Sequence, residues 1–265
     1  MDSSLWQVVV LAVVQGITEF LPISSDGHLL LIATWMQGGR TSAETHDLAI
    51  VLHLGTLLSI VVYYRRQIVD LMTRDWRTIG LIVVGTLPAV LIGLPLKMTN
   101  WGEAVLNSTL LAGPMLAVSG IILLFADGIT PGEGTYRNMS FSRAFWIGVA
   151  QACALLPGLS RSGSTIASGL ALGLARPQSA TFSFLLAIPA IAGAGVLGGL
   201  HLAKFPRLST PPWQLLLGAG ISFLVGLLAL SWVNHWLAQG RLYLFGWYCI
   251  ALGIVVLGLE VARWW

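Results

Sequence analysis

Charge is what this chain has least of. Only 9% of its 265 residues are Asp, Glu, Lys or Arg, against roughly 25% in soluble domains. With 56% hydrophobic residues and a mean hydropathy of +0.82, a water-soluble core-and-shell protein is excluded, because too few polar groups exist to cover it. Its apolar runs also lack the strict alternation of outer-membrane strands, which leaves a polytopic α-helical membrane protein. Cysteine is nearly absent. Cys153 and Cys249 lie in separate apolar segments, so neither a disulfide framework nor a zinc spacing is suggested, and both are expected to be buried, inert thiols. No basic residues precede the first apolar run in MDSSLWQVVV; the first segment is therefore expected to remain rather than be cleaved as a secretory signal. The small net charge of +3 suits anionic lipid headgroups and gives no reason to expect a nucleic-acid partner.

The apolar runs, divided at their polar and Pro/Gly breaks, predict segments at about 5–22, 26–37, 47–64, 78–97, 104–126, 143–157, 161–174, 178–201, 213–236 and 242–261. Segments 26–37, 143–157 and 161–174 are shorter than the ~20 residues a spanning helix needs, and 5–22 is marginal and ends in Pro22. Each short pair is joined by a turn rich in Pro, Ser and Gly, PISSDG in the first and PGLSRSG in the second. Such turns suit re-entrant helical hairpins.

The turns are related to each other. A shift of 136 places Gln15 on Gln151, Ser24 on Ser160 and Gly27 on Gly163, and the order short, short, long, long, long recurs in both halves. A re-entrant pair returns to its starting side, so each half makes an odd number of crossings and the second half is inverted relative to the first. The expectation is one all-α integral membrane domain, a polytopic helical bundle of two inverted repeats. Repeat one covers 1–126 and repeat two 143–265, with 127–142 as linker. Each repeat would supply one re-entrant hairpin and three transmembrane helices, with the two hairpins converging near the midplane. With the amino terminus outside, eight basic residues (Arg65, Arg66, Arg74, Arg77, Arg137, Arg143, Arg176 and Arg241) fall inside and five (Arg40, Lys97, Lys204, Arg207 and Arg263) outside, which favours that orientation.

Each turn ends one half-helix and begins another. The unpaired N–H groups and positive dipole end over Ser25, Asp26, Gly27 and His28 attract anions. The second turn repeats this and adds Arg161, whose planar fork matches phosphate oxygens, among the hydroxyls of Ser160, Ser162, Ser164 and Thr165. Arg161 is therefore expected either to clamp phosphate or to be tied to Glu19. Gln15 and Glu19, four residues apart, share one face of the first half-helix; Glu19 suits acid–base or cation chemistry, whereas Gln15 offers only an oxygen. His28 is a candidate for proton transfer. Ser24 and Ser25 are candidate caps or nucleophiles, with Ser25 favoured. Asp26 could orient His28, hold a cation or cap the second half-helix, and His53 could line the same cavity or pack in the core. The glycine-rich run 190–200 is expected to serve close helix packing, and the tryptophans near segment ends to form an interfacial belt.

Taken together, these motifs resemble those of the undecaprenyl-diphosphate phosphatase family, the bacitracin-resistance type of bacterial membrane phosphatase. Q-G-I-T-E-F-L-P-I-S-S-D-G-H is similar to that family's [E/Q]-x-x-x-E segment and S-S-x-G-H turn, and P-G-L-S-R-S-G-S-T to its second signature. The resemblance implies that Gln15 and Glu19 serve a divalent cation or proton transfer, Ser25 and His28 the phosphoryl chemistry, and Arg161 with its flanking serines the diphosphate. It implies release of phosphate from a C55 polyprenyl diphosphate on the outer side of the plasma membrane, returning the monophosphate carrier to cell-wall synthesis. Asp26 departs from the hydroxyl residue of many relatives, and its charge would repel a diphosphate unless balanced. The expected cofactor is Mg²⁺ or Ca²⁺. Expected partners are the polyprenyl diphosphate and membrane lipids, a homodimer being compatible with both. The rival class is a lipid flippase or anion transporter, since inverted repeats with broken helices equally suit a carrier.

Overall fold

A computed structural model describes residues 5–36, 43–106, 108–204 and 210–262. Among them regular structure is helical, apart from a single bridge between Gly134 and Leu174. The helices are α1 (Leu5–Thr18), α2 (Ser25–Met36), α3 (Ala43–Tyr63), α4 (Arg65–Thr73), α5 (Trp76–Lys97), α6 (Asn100–Leu106), α7 (Thr109–Asp127), α8 (Phe141–Cys153), α9 (Arg161–Ala171), α10 (Arg176–Lys204), α11 (Pro212–Ala238) and α12 (Leu242–Ala262), with a 3-10 turn at Tyr136–Asn138. Five of these are long and apolar enough to cross a membrane, namely α5, α7, α10, α11 and α12. A sixth span arises if α3 and α4 are taken together, which the chain bends by 72°.

The first helix of each hairpin stops four residues before its expected end, at Thr18 and Cys153, and two further segments are organised differently from the sequence reading. The predicted run 47–64 does not end at a loop but turns directly into α4, whose charged RRQIVD start is too polar to extend a span. The run 104–126 is divided: α6 stops and α7 restarts on a new cap, Ser108 accepting from Leu111 N at 3.4 Å. Polar caps fix other starts too. Asp75 accepts from Thr78 N at 3.1 Å at α5, and Ser140 from Arg143 N at 3.3 Å at α8, each meeting an N–H that the helix itself cannot satisfy.

The short helices α1–α2 and α8–α9 form the two expected hairpins, and the long helices follow each in turn. Packing crosses between the halves: α1 lies on α11 while α8 lies on α5, and α7 pairs along its length with α12. That last pair is close because small residues face each other; a Cβ added to Gly253 would sit 2.6 Å from the Gly113 carbonyl oxygen. Where lipid already solvates apolar side chains, such close backbone approach supplies the packing contacts that hold helices together. The main core runs around Phe20, Phe182 and Phe184, with Phe20 and Phe184 edge to face at 5.8 Å. A smaller core of Val8, Leu11, Leu29 and Leu52 seals the first hairpin.

The linker 127–142 is anchored rather than loose. Arg77 donates to the carbonyls of Arg137 and Met139, Arg137 pairs with Asp70 at 3.3 Å and Asp75 at 3.5 Å, and Gly134 N donates to Gly173 O at 3.1 Å. Cys249 is buried as expected, but Cys153 is exposed at the last turn of α8, because only one face of that short helix meets the bundle. Trp6, Trp35, Trp101 and Trp213 are all more than half exposed near helix ends, the placement of an interfacial belt. Trp264 and Trp265 lie outside the described residues, as do Arg40, Arg207 and Arg263 and the side chains of His46, His201 and Lys204.

Candidate active site

Both hairpin tips are shaped by the residues that break their helices. After α1 the chain makes turns through Glu19–Ile23 and reaches Ser24, whose φ of 70° is left-handed, an uncommon state for a residue with a side chain. That kink starts α2 in a new direction, with Ser24 Oγ accepting from Gly27 N at 3.3 Å. In the second tip Gly158 takes the left-handed position at φ 91°, and Ser160 caps α9 by accepting from Gly163 N at 3.0 Å. The tips touch. A Cβ on Gly27 would lie 3.1 Å from Gly158 Cα, and Ser162 Oγ donates to Leu21 O at 3.1 Å. Residues 24–28 and 160–165 therefore meet inside the bundle, each presenting the positive end of a helix.

Glu19 is the hub, 4% exposed. One oxygen, Oε1, takes the guanidinium of Arg161 from the opposite hairpin. The other, Oε2, accepts from Gln15 Nε2 at 2.9 Å and from Ser25 Oγ at 2.6 Å. His53 Nε2 stands 3.5 Å from the same oxygen and 3.4 Å from Asp26 Oδ1. Its Nδ1 lies 2.7 Å from the Ala49 carbonyl, so Nδ1 carries a proton and donates there. A carboxylate within hydrogen-bond reach of a serine hydroxyl can take its proton, and an arginine whose fork has five donors can bind an oxyanion while holding that carboxylate in place.

Glu19, Ser25, Asp26, His53 and Arg161 line a cavity of about 800 Å³ whose remaining wall is mainly apolar; Gln15 is fully buried and is not part of that lining. Val90 and Leu94 of α5 and Val196 and Leu197 of α10 are among the apolar residues that line it. Glu19, Ser24, Ser25, Asp26 and His53 line it from the first half. Gln151, Ser160, Arg161 and Ser162 line it from the second, with Lys97 exposed at the end of α5.

Several sequence-predicted residues fall elsewhere. His28 does not line the cavity: its Nδ1 meets Ser24 O at 2.7 Å and its Nε2 meets the Tyr248 hydroxyl at 2.8 Å, with the rings stacked 5.7 Å apart. Its ring is held by Tyr248 of α12 and by the Ser24 carbonyl, not by Glu19. Thr165 is likewise turned outward from the cavity, bonding Arg161 O at 2.8 Å and Ser183 Oγ at 2.6 Å, which fastens α9 to α10. Gly27 serves the contact between tips. The hydroxyls of Ser24 and Ser160 are already engaged as caps. The glycine run expected for packing does two things: Gly195 packs on Leu54, while Gly193, Gly195 and Gly198 also line the cavity.

For a metal, the described residues contain no group of three or more His, Cys, Asp or Glu placed to hold one. Two oxygen donors are nonetheless available, the exposed carboxylate of Asp26 and the buried Oε1 of Gln15, which has no hydrogen-bond partner. That set suits a hard cation shared with phosphate oxygens rather than caged by protein. Sequence reasoning missed Lys97, Tyr248 and Ser119, which accepts from Ser160 N at 2.8 Å and donates to Gly158 O at 3.1 Å. No motif marks them; they are far in sequence from either tip.

Comparison with known proteins finds relatives over nearly the whole chain. Residues 8–255 match the family described as bacitracin resistance protein BacA. A protein of Rhodopirellula baltica named undecaprenyl-diphosphatase is 47% identical over 260 residues, 98% of this chain and 99% of its own. Proteins of the same name from Alteromonas mediterranea and Mycobacterium leprae are each 38% identical, covering 96% and 98% of this chain and 98% and 96% of theirs.

Proposed function

The chain belongs to the bacitracin resistance protein BacA family, and from that premise and the site's geometry we propose that it hydrolyses undecaprenyl diphosphate to undecaprenyl phosphate and inorganic phosphate. It is a membrane-embedded phosphatase. One observation carries the residue roles: Ser25 Oγ lies 2.6 Å from Glu19 Oε2 while the same carboxylate's other oxygen is held by Arg161. Nucleophile, base and anion clamp are thereby joined in the wall of a mainly apolar cavity.

In this reading the isoprenoid tail lies against the apolar wall and leaves between α5 and α10, and the diphosphate meets Arg161 and the two helix ends. Glu19 accepts the Ser25 proton as Oγ attacks the terminal phosphorus in line with the bridging oxygen. The lipid monophosphate departs, and water then releases phosphate from the serine. Phosphoryl transfer asks the protein mainly for positioning and for charge stabilisation. His53, between Glu19 and Asp26, balances their charge and is placed to return a proton to the departing oxygen. A Mg²⁺ or Ca²⁺ ion held by Asp26 and the unpartnered oxygen of Gln15, beside Glu19, would neutralise diphosphate charge when bound. His28 supports the tip by tying α2 to α12.

The same reading puts the protein in the bacterial plasma membrane with the cavity opening to the outer side, where the lipid carrier is recovered for cell-wall synthesis. Purified protein in detergent tests it: phosphate release from a polyprenyl diphosphate, abolished in Ser25→Ala, is the expected result. Detergent offers no second compartment, so a carrier without phosphatase activity would release none.

A further inference from the structure

Gln151 is 2% exposed, lines the cavity, and has no hydrogen-bond partner for either Nε2 or Oε1. An unpaired buried amide is costly, and most such groups in folded proteins are satisfied. The repeat explains why this one is not. Its mate, Gln15, spends Nε2 on Glu19 Oε2 at 2.9 Å and Thr56 Oγ1 at 3.5 Å. The same offset of 136 puts Leu155 where the first half has Glu19 and Ala192 where it has Thr56. Both partners are therefore replaced by apolar residues in the second half, and the amide is left buried without a partner in a residue of the cavity wall, near the end of α8.

We infer that Gln151 is a substrate-binding residue whose amide donates to a phosphate oxygen of the lipid diphosphate. The inference rests on the phosphatase reading of the cavity. A neutral donor suits this position. Glu19 and Asp26 already give the pocket two carboxylates, and a further acidic group would repel the headgroup. The Gln151 Oε1 is left to accept from a protonated phosphate oxygen. A site that hydrogen-bonds its ligand in this way loses affinity when the donor is removed.

The test uses Gln151→Leu, Gln151→Met and Gln151→Glu in full-length protein in detergent, with a C15 prenyl diphosphate as substrate and its methylene-bridged analogue as a non-hydrolysable binding probe. Expected are a fall in kcat/KM of about tenfold or more in Gln151→Leu and Gln151→Met, carried by KM, with weaker binding of the analogue. Gln151→Glu falls further. The thermal midpoint of the ligand-free Leu and Met variants stays at or above wild type, because a polar group without a partner has been removed. A purely structural amide gives the opposite pattern, a lowered midpoint with an unchanged KM, and that result overturns the inference, as does wild-type kcat/KM in Gln151→Leu. Absence of phosphate release by the wild type counts against the phosphatase reading alone, since analogue binding still reads the role of Gln151.

Discussion

The two hairpin tips both start their second helix on a serine cap, Ser24 accepting from Gly27 N and Ser160 from Gly163 N, and differ in what they carry. At positions 136 apart, the first tip has Glu19 and Ser25 where the second has Leu155 and Arg161. The first supplies the carboxylate and the hydroxyl, the second the guanidinium. Neither tip alone is a site, and the pair Glu19–Arg161 is what joins them. Two short-helix hairpins provide two positive helix ends, and the different residues at positions 136 apart put the carboxylate on one tip and the guanidinium on the other.

That division can be broken from either side. The largest effect is expected from removing the clamp or the nucleophile. Arg161→Ala should lower phosphate release by about 10³-fold, and Ser25→Ala should reach the assay background; an Arg161→Ala enzyme at wild-type rate refutes the shared site. Next comes Glu19→Gln, which keeps the hydrogen bond from Gln15 but cannot take a proton, with a loss of about 10²-fold or more in kcat. The contact between tips is tested by Gly27→Ala, whose Cβ would meet Gly158 Cα at 3.1 Å. It should move the tips apart by a few tenths of an ångström and cost about tenfold in kcat with little change in KM. The smallest effect is expected at the first tip's outward face. Because His28 bonds Tyr248 rather than the cavity, Tyr248→Phe should reproduce most of the modest loss in His28→Ala, and the double variant should add little to either. A His28→Ala loss as large as that of Glu19→Gln, untouched by Tyr248→Phe, would return His28 to the chemistry.

Much of this was legible from residue order. The apolar runs located most of the helices, and the two PxxS-type turns marked the hairpins because Pro and Gly interrupt helices at chain positions, not in space. Glu19, Ser25 and Arg161 stood out because polar groups in apolar runs carry a cost that asks for a reason. Direction was not legible. His28 follows Ser25 by one turn, near enough to look like its partner, yet its ring stacks on Tyr248 of α12 and bonds its hydroxyl. His53 looked equally suited to core or cavity, and only the packing of α3 beside the first tip brought its Nε2 to Glu19 and Asp26. Cys153 read as buried because its segment is apolar, but an apolar segment in lipid has an exposed side as well.

The sequence by itself settled that the chain is a helical membrane protein with two broken hairpins, since composition and run length act locally along the chain. Tertiary structure decided which hydroxyl meets the carboxylate, that the guanidinium of one half binds the acid of the other, and which glutamine is left without a partner. Those outcomes depend on helix rotation and on contacts between residues more than a hundred positions apart, and no local pattern encodes them.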